Sequence, residues 1–421
     1  MAPDFWKRLF GRRRFLKESA AGVLFSAPLP SAVPSVVQLL LGDETSLANH
    51  LFRVKNIPDQ PFTISSRPND HAGVNALLEL MGANGLKFYR TAANSLLSGP
   101  QGLIAADDVV LIKVNAQWKY RGCTNSDVVR GLVQKILDHP DGFRGEVVIF
   151  ENGQGRGSLN CDTSSAYSGD TSVRANANNE NQSFLYLVNT IFRDSRVSAL
   201  LLDDFRGTFI EAHDHTTTGY RAFENVSYPC FTTPGGRRVE LKEGVWTGSG
   251  HSQNLKLINV PVLKHHDTGG SEITIALKHV YGIVSMSDGQ VNFRHYSGLG
   301  ETCGKMMVSV RPPVLNLVDA IWTSHQSITG FPESTTVRTN QLLASQDPVA
   351  ADYWAAKHIL YPIDQNARHH PDFPGIAAWL TAARDLINAR GGLAHPENGI
   401  LVSKVTNNQV EMVVHERSLG N

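Results

Sequence analysis

A chain of 421 residues with 39 basic and 39 acidic side chains carries no formal net charge, so no global field draws in nucleic acid or an acidic membrane surface, and nucleic acid is not an expected partner. Hydrophobic content of 41%, charged content of 19% and 36 glycines exclude a disordered or fibrous chain and describe a loop-rich globular one. No internal run approaches the roughly 18 apolar residues that a membrane-spanning helix needs, and the length suits about one to three domains.

At the N-terminus, GRRRFLKESAAGVLFSAPLPSA sets Arg12 and Arg13 before Phe15, Leu16 and Lys17, then a short, weakly apolar segment with small residues and prolines. The run resembles a twin-arginine export signal, with Gly11 where a serine or threonine is commoner. Residues 1–34 are therefore set apart from the fold. Such a signal implies a periplasmic or other extracytoplasmic location, the twin-arginine export machinery as partner, and export of a chain already folded, often around a cofactor. Ala32 is the candidate cleavage site and Pro30 fits poorly before it, which leaves an uncleaved anchor open as the one membrane segment.

Along the rest of the chain, HAGVNALLELMGANGLKFYRT reads as helix, glycine turn and strand. DDVVLIKVN, from Asp107, is a near-continuous apolar run rich in β-branched residues, as in a strand buried on both faces. In TNSDVVRGLVQKILDHPDG a cap at Thr124 or Asn125 precedes Val128, Val129, Leu132, Val133, Ile136 and Leu137, the stripe of an amphipathic helix. GEVVIFE is the next buried strand, so residues 107–151 read as a βαβ unit. A helix around Asn181 to Arg193 leads to the strand VSALLLDDF, and LKLINVPVL and VLNLVDAIW are further strands. NQLLASQ precedes a helix in DPVAADYWAAKHIL, with Asp347 as N-cap and Pro348 at its first position. ILVSKVTNNQVEMVVHE reads as a hairpin closed by Asn407 and Asn408. Residues 155–180 and 206–252, rich in Gly, Ser, Thr and Asn, read as long loop insertions. The alternation predicts an α/β fold: a mainly parallel open sheet with flanking helices over residues 35–400, and the hairpin of residues 401–421 packed on it.

Cys123, Cys161, Cys230 and Cys303 are widely spaced and form no CxxC pair, so no iron–sulfur cluster and no cysteine zinc motif is expected. Two disulfides and buried free thiols both stay open.

Ligands of open parallel sheets lie beyond the carboxyl ends of the strands. The polar residues there are Lys113 and Asn115, Glu151 and Asn152, Asp203 and Asp204, Lys264 with His265, His266 and Asp267, and Asp319 inside or at the end of its strand. A strand end entering solvent also needs polar groups, so each residue alone is ambiguous; taken together they predict one shared rim. After the histidines, Ile273, Leu277, Val280 and Val284 fall on a helical stripe with Lys278 on its flank, while ITIAL also alternates as a strand would. Thr268, Gly269 and Gly270 would offer N–H groups to an anion if a helix starts there. ENGQGRG after a buried strand has the look of a phosphate-cradling loop but lacks the helix that should follow, and a plain turn is preferred. His213 and His215 suit either a metal pair or a polar surface loop.

VVLIKVNAQW, VVIFENGQG, INVPVLKHHDTGGSEITIALKHVYGIV, VLNLVDAIW and LLASQDPVAADYWA, in this order, resemble the motifs of the domain-of-unknown-function 362 family across residues 107–358. That family shows Lys-Pro-Asn after its first strand, Pro-x-x-Lys-x-His, Thr-x-x-x-Lys-Asn followed by glycine, and Asp-Pro-x-x-x-Asp. Here Val114 replaces the proline and His279 the asparagine, and the cysteines of the ferredoxin-like clusters that some relatives append are missing. The resemblance implies fold and site position rather than a reaction. It points to Lys113, Asn115, Lys264, His266, Lys278, Asp347 and Asp352.

Lysine beside histidine suits proton transfer if burial lowers the lysine pKa, or the holding of an anion as plain charge. Lys113, Lys264, His266 and Lys278 are accordingly the candidate catalytic residues, and Asn115, Glu151, Asp319, Asp347 and Asp352 the candidate cofactor-binding ones. His266 with Asp267 and a distant carboxylate is the candidate metal set, while the adjacent His265 points to the other side of an extended chain. The sequence names no cofactor. The expected function is that of an exported enzyme performing acid–base chemistry on a small anionic or carbonyl-bearing ligand, with or without a metal or organic cofactor; the alternative is a non-catalytic anion-binding or redox-accessory protein.

Overall fold

Strand β1 (His50–Lys55) is followed by helix α1 (Ala72–Ala83), whose first turn is capped by His71 accepting from the Gly73 and Val74 N–H groups. These belong to a computed structural model that describes residues 49–163, 171–267, 272–284, 295–395, 401–402 and 404–420. Residues 1–34, read above as an export signal, and residues 268–270 lie outside the described residues. Next come β2 (Val109–Val114), α2 (Ser126–Leu137) and β3 (Glu146–Glu151), the βαβ unit read from the sequence. Asn125 is the cap, accepting from Asp127 and Val128. A helical stretch over residues 184–192 then leads to β4 (Val197–Leu201).

Where the sequence suggested a loop from 206 to 252, the chain builds a separate antiparallel sheet from β5 (Gly219–Phe223), β6 (Val226–Thr232), β7 (Arg238–Glu240), β8 (Gly244–Trp246) and β9 (His251–Ser252). The missed signal was short: GYRAF and VSYPCFT flank Glu224 and Asn225, both with positive φ (48° and 65°), as a two-residue hairpin turn requires.

The predicted strand LKLINVPVL is broken by Pro261 into β10 (Leu255–Val260) and β11 (Val262–His265). The ambiguous ITIAL segment divides between both readings, giving β12 (Ile273–Thr274), which pairs with β11, and α3 (Ala276–Tyr281). Then follow α4 (Leu299–Lys305), β13 (Leu315–Ser324), β14 (Thr336–Ser345), α5 (Pro348–Ala355), α6 (Pro374–Ala389) and β15 (Val413–Ser418).

Among the described residues, ten strands join one sheet with the path β15-β1-β14-β13-β10-β2-β3-β4, and β11 adds to β13. The run β13-β10-β2-β3-β4 is parallel throughout, while β14 is antiparallel to β13 and to β1. A C-terminal antiparallel hairpin is present, with Leu393–Ala394 pairing Leu401–Val402. Its last turn is not Asn407–Asn408: Asn408 caps a short 3-10 turn and β15 goes to the sheet edge, parallel to β1.

Alternation along each strand splits the core in two. Val110, Ile112 and Val114 pack with α1 and α2 on one face, whereas Val109 and Leu111 pack with α3 to α6 on the other. On that second face α4 meets α6 at Gly300, where a Cβ would lie 2.0 Å from the Trp379 carbonyl oxygen. Gly300→Ala is expected to push the helices apart and lower stability by about 1–3 kcal/mol. A urea midpoint equal to that of the parent chain would show that this contact is not rigid.

Candidate functional site

Strand order reverses between β2 and β10: the chain runs from β2 outward to β3 and β4, then returns to place β10 and β13 on the other side of β2. Such a switch point leaves a crevice at the carboxyl ends of the strands. There the structure opens a cavity of about 290 Å³, lined by Lys113, Asn115, Glu151, Lys264, His266, Asp267 and Lys278 of the predicted set, with Arg156, His279, Tyr281 and His295.

Lys113 continues the face of Val109 and Leu111 and is buried. Its Nζ contacts Glu151 Oε2 at 2.6 Å, the Val114 carbonyl at 2.9 Å and His279 Nε2 at 3.1 Å. Three acceptors match the three N–H bonds of an ammonium. Burial nevertheless draws the Lys113 pKa down and pushes that of Glu151 up to about 7, each opposed by the attraction of the partner. With Glu151 ionised, only the ammonium form of Lys113 supplies all three acceptors, and we assign that ion pair. Gly282 makes the room, since a Cβ there would lie 3.0 Å from Lys113 Nζ.

His279 is fixed from behind. Its Nδ1 is 2.6 Å from Asn259 Oδ1, whose amide nitrogen donates to the Ala276 carbonyl and to Asn316 Oδ1, so Nδ1 carries the proton and Nε2 accepts from Lys113. Burial, then the Lys113 charge, keep this ring neutral. Lys113, Asn259, Asn316 and Ser345 are successive register partners on β2, β10, β13 and β14, forming one polar row under α3. The lone asparagines in LINVPVL and VLNLVDA were the sequence signal for this row, and the strand reading passed over them.

Lys264 and His266 leave β11 on the same side, two residues apart. Lys264 Nζ donates to the Gly122 carbonyl at 2.6 Å and the Ile328 carbonyl at 2.9 Å. Those carbonyls converge because Gly122 lies against the 329 turn, where a Cβ would come within 2.4 Å of the Thr329 oxygen. Burial brings the Lys264 pKa down to about 7. Lys278, buried and not a surface lysine, has its Nζ 2.6 Å from His295 Nε2, and burial lowers it to about 8. His266 Nδ1 lies 2.7 Å from Asp267 Oδ1, leaving Nε2 as the acceptor nitrogen. Burial, then Lys278, keep His266 neutral, and the hydrogen bond from His266 holds Asp267 well below the usual carboxylate range.

The structure does not bring Asp319, Asp347 and Asp352 to the cavity. Asp319 accepts from the N–H groups of Asn125 and Ile321 inside the sheet. Asp347 caps α5 through Val349 and Ala350 and holds the Thr406 N–H. Asp352 accepts from the Ala276 and Leu277 N–H groups at 2.7 and 3.1 Å, and so fastens the start of α3, the helix that presents Lys278 and His279. Asn115 lines the cavity, yet its carboxamide oxygen accepts from Val262 N–H and ties β2 to β11. In the glycine loop, the Gly153 and Gly155 N–H groups are taken by the Asp203 carboxylate, an anion the chain supplies itself.

Among the described residues no third His, Cys, Asp or Glu joins His266 and Asp267 at ligand spacing. His215 gathers with Glu240 and His251 instead of with exposed His213. The Glu240 carboxylate is already met by His215 at 2.7 Å, His251 at 3.0 Å and Arg221 at 2.5 Å. All four cysteines are buried free thiols.

Residues 231–357 match the family model described as Domain of unknown function (DUF362). The match supports the domain family over the segment that carries Lys264, His266, Lys278, Asp347 and Asp352, while β2 and β3 precede it. No curated protein and no solved structure matches the chain. Within the matched segment α3 depends on Asp352. Asp352→Ala is expected to cost about 1–3 kcal/mol by stranding two buried N–H groups, read as a lower urea midpoint, with weaker ligand binding as α3 shifts.

Proposed function

We propose that the protein is an enzyme acting outside the cytoplasm, which binds a small anionic or carbonyl-bearing substrate in the switch-point cavity and moves protons on it with lysine and histidine. The observation that carries this reading is the convergence of Lys264, Lys278, His266 and Arg156 on one cavity with Asp267 as their counter-charge, Glu151 being engaged by Lys113. Cationic side chains around a partly enclosed space favour an anionic group over a metal cation. An organic cofactor entering the same space would need an anionic group of its own.

Each residue has a role that its surroundings suit. Lys278, with a pKa of about 8, is mostly charged at neutral pH and anchors the anion. His266, neutral and oriented through Nδ1 by Asp267, presents Nε2 as a proton acceptor. Lys264, near 7, exchanges between ammonium and amine over the working range. Asn115 and Asp352 act at one remove by holding β11 and α3.

Binding of a simple dianion such as oxalate or sulfate, followed calorimetrically on the full chain, tests the cavity. Lys278→Gln removes a charged partner and should weaken binding by about tenfold or more. Both lysines bind anions as ammonium, which is the form below the pKa, so affinity should fall as pH rises through 7 to 9. Affinity that stays constant with pH and survives Lys278→Gln would place the anion elsewhere. Export rests on the N-terminal run alone: changing both Arg12 and Arg13 to lysine should retain the protein in the cytoplasm on fractionation, and unchanged export would remove that part of the reading.

A further inference from the structure

The proposed reading leaves the covalent chemistry open, and the hydrogen bonding of the lysines narrows it. Lys113 has three acceptors and is held as an ammonium next to Glu151. Lys278 donates to His295 and lies where it can hold an anion. Lys264 differs from both. Two backbone carbonyls take two of its nitrogen positions, Cε takes the third, and the fourth is left on a side chain that lines the cavity. No carboxylate lies within ion-pair distance of its Nζ among the described residues, so burial is offset only in part, by Cys123 and Glu151 without a direct ion pair, and not by a contacting carboxylate as at Lys113. In the amine form both N–H bonds are satisfied by the carbonyls, which fixes the nitrogen lone pair in that fourth direction.

From this geometry we propose that Lys264 is a covalent nucleophile that condenses with the carbonyl group of a small oxo acid, whose carboxylate is held by Lys278 and Arg156. The inference rests on the cavity reading above. The lone pair of Nζ adds to the carbonyl carbon, the C–N bond forms, and the carbonyl π electrons move to oxygen, which takes up a proton. The nitrogen proton released on addition goes to His266 Nε2, two residues along the same side of β11. Loss of the oxygen as water gives the imine, so that amine and ketone become imine and water with no change in oxidation state. The imine nitrogen, once protonated, draws electrons from the adjacent carbon.

Reductive trapping tests this on the full chain. Pyruvate and glyoxylate are offered separately with sodium borohydride, the intact mass is measured, and the modified peptide is sequenced, while oxalate binding is measured in parallel. The expected result is a single reduced adduct on Lys264, formed faster as pH rises from 6 to 8 because the amine form grows, and suppressed by competing oxalate. Lys264→Arg should abolish the adduct, while oxalate binding by the parent chain under the same conditions shows that the cavity is competent. His266→Ala should slow trapping without moving the adduct to another lysine. Oxalate binding without a Lys264 adduct from either probe, or adducts spread over surface lysines, overturns the inference and leaves the anion-binding reading standing. Absence of both oxalate binding and adduct overturns the two together.

Discussion

The row of polar side chains that crosses the sheet beneath α3 is the constraint on which the site depends. Ser345, Asn316, Asn259 and Lys113 occupy adjacent strands in register, in a region otherwise packed with Val, Leu and Ile. Buried polar groups are tolerated only when every one has a partner. Here the Asn316 amide donates to the Ser345 carbonyl, Asn259 donates to Asn316 and to the Ala276 carbonyl, His279 donates to Asn259, and Lys113 donates to His279, Glu151 and Val114. Each residue sets the orientation of the next. The helix cannot slide or turn without stranding several of these groups in the core, so Lys278 is presented to the cavity from a fixed base.

Much of the architecture was legible in the sequence because it rests on local signals. Apolar runs around residues 109–114 and 146–151 give strands buried on both faces, the stripe from Val128 to Leu137 gives the intervening helix, and Asp347 before Pro348 gives the cap. The antiparallel sheet of residues 219–252 is hard to read because its strands are short, Pro229 falls within one of them and Gly235 and Gly236 lie between two, a pattern that reads as loop. The destination of the last strand could not be read at all, since nothing in VVHERS specifies pairing with residues over 350 positions earlier.

The site was legible by class more than by role. Strand-end position marked Lys113, Glu151, Lys264 and His266, and these do line one cavity. Motif likeness added Asp347 and Asp352, whose carboxylates turn out to serve backbone N–H groups, and no spacing argument distinguishes a carboxylate that meets a ligand from one that holds a helix end. The three lysines look alike as letters. Their different partners, a carboxylate with two further acceptors, two carbonyls, or one imidazole, come from residues scattered over the chain, and those partners decide which nitrogen keeps its charge.

The placement of β1 bears on the order in which the protein can be completed. Among the described strands this one is made first, yet both of its neighbours, β14 and β15, lie far along the sequence, at Thr336–Ser345 and Val413–Ser418. Until β14 and β15 have been made, β1 therefore lacks both of the strands that flank it.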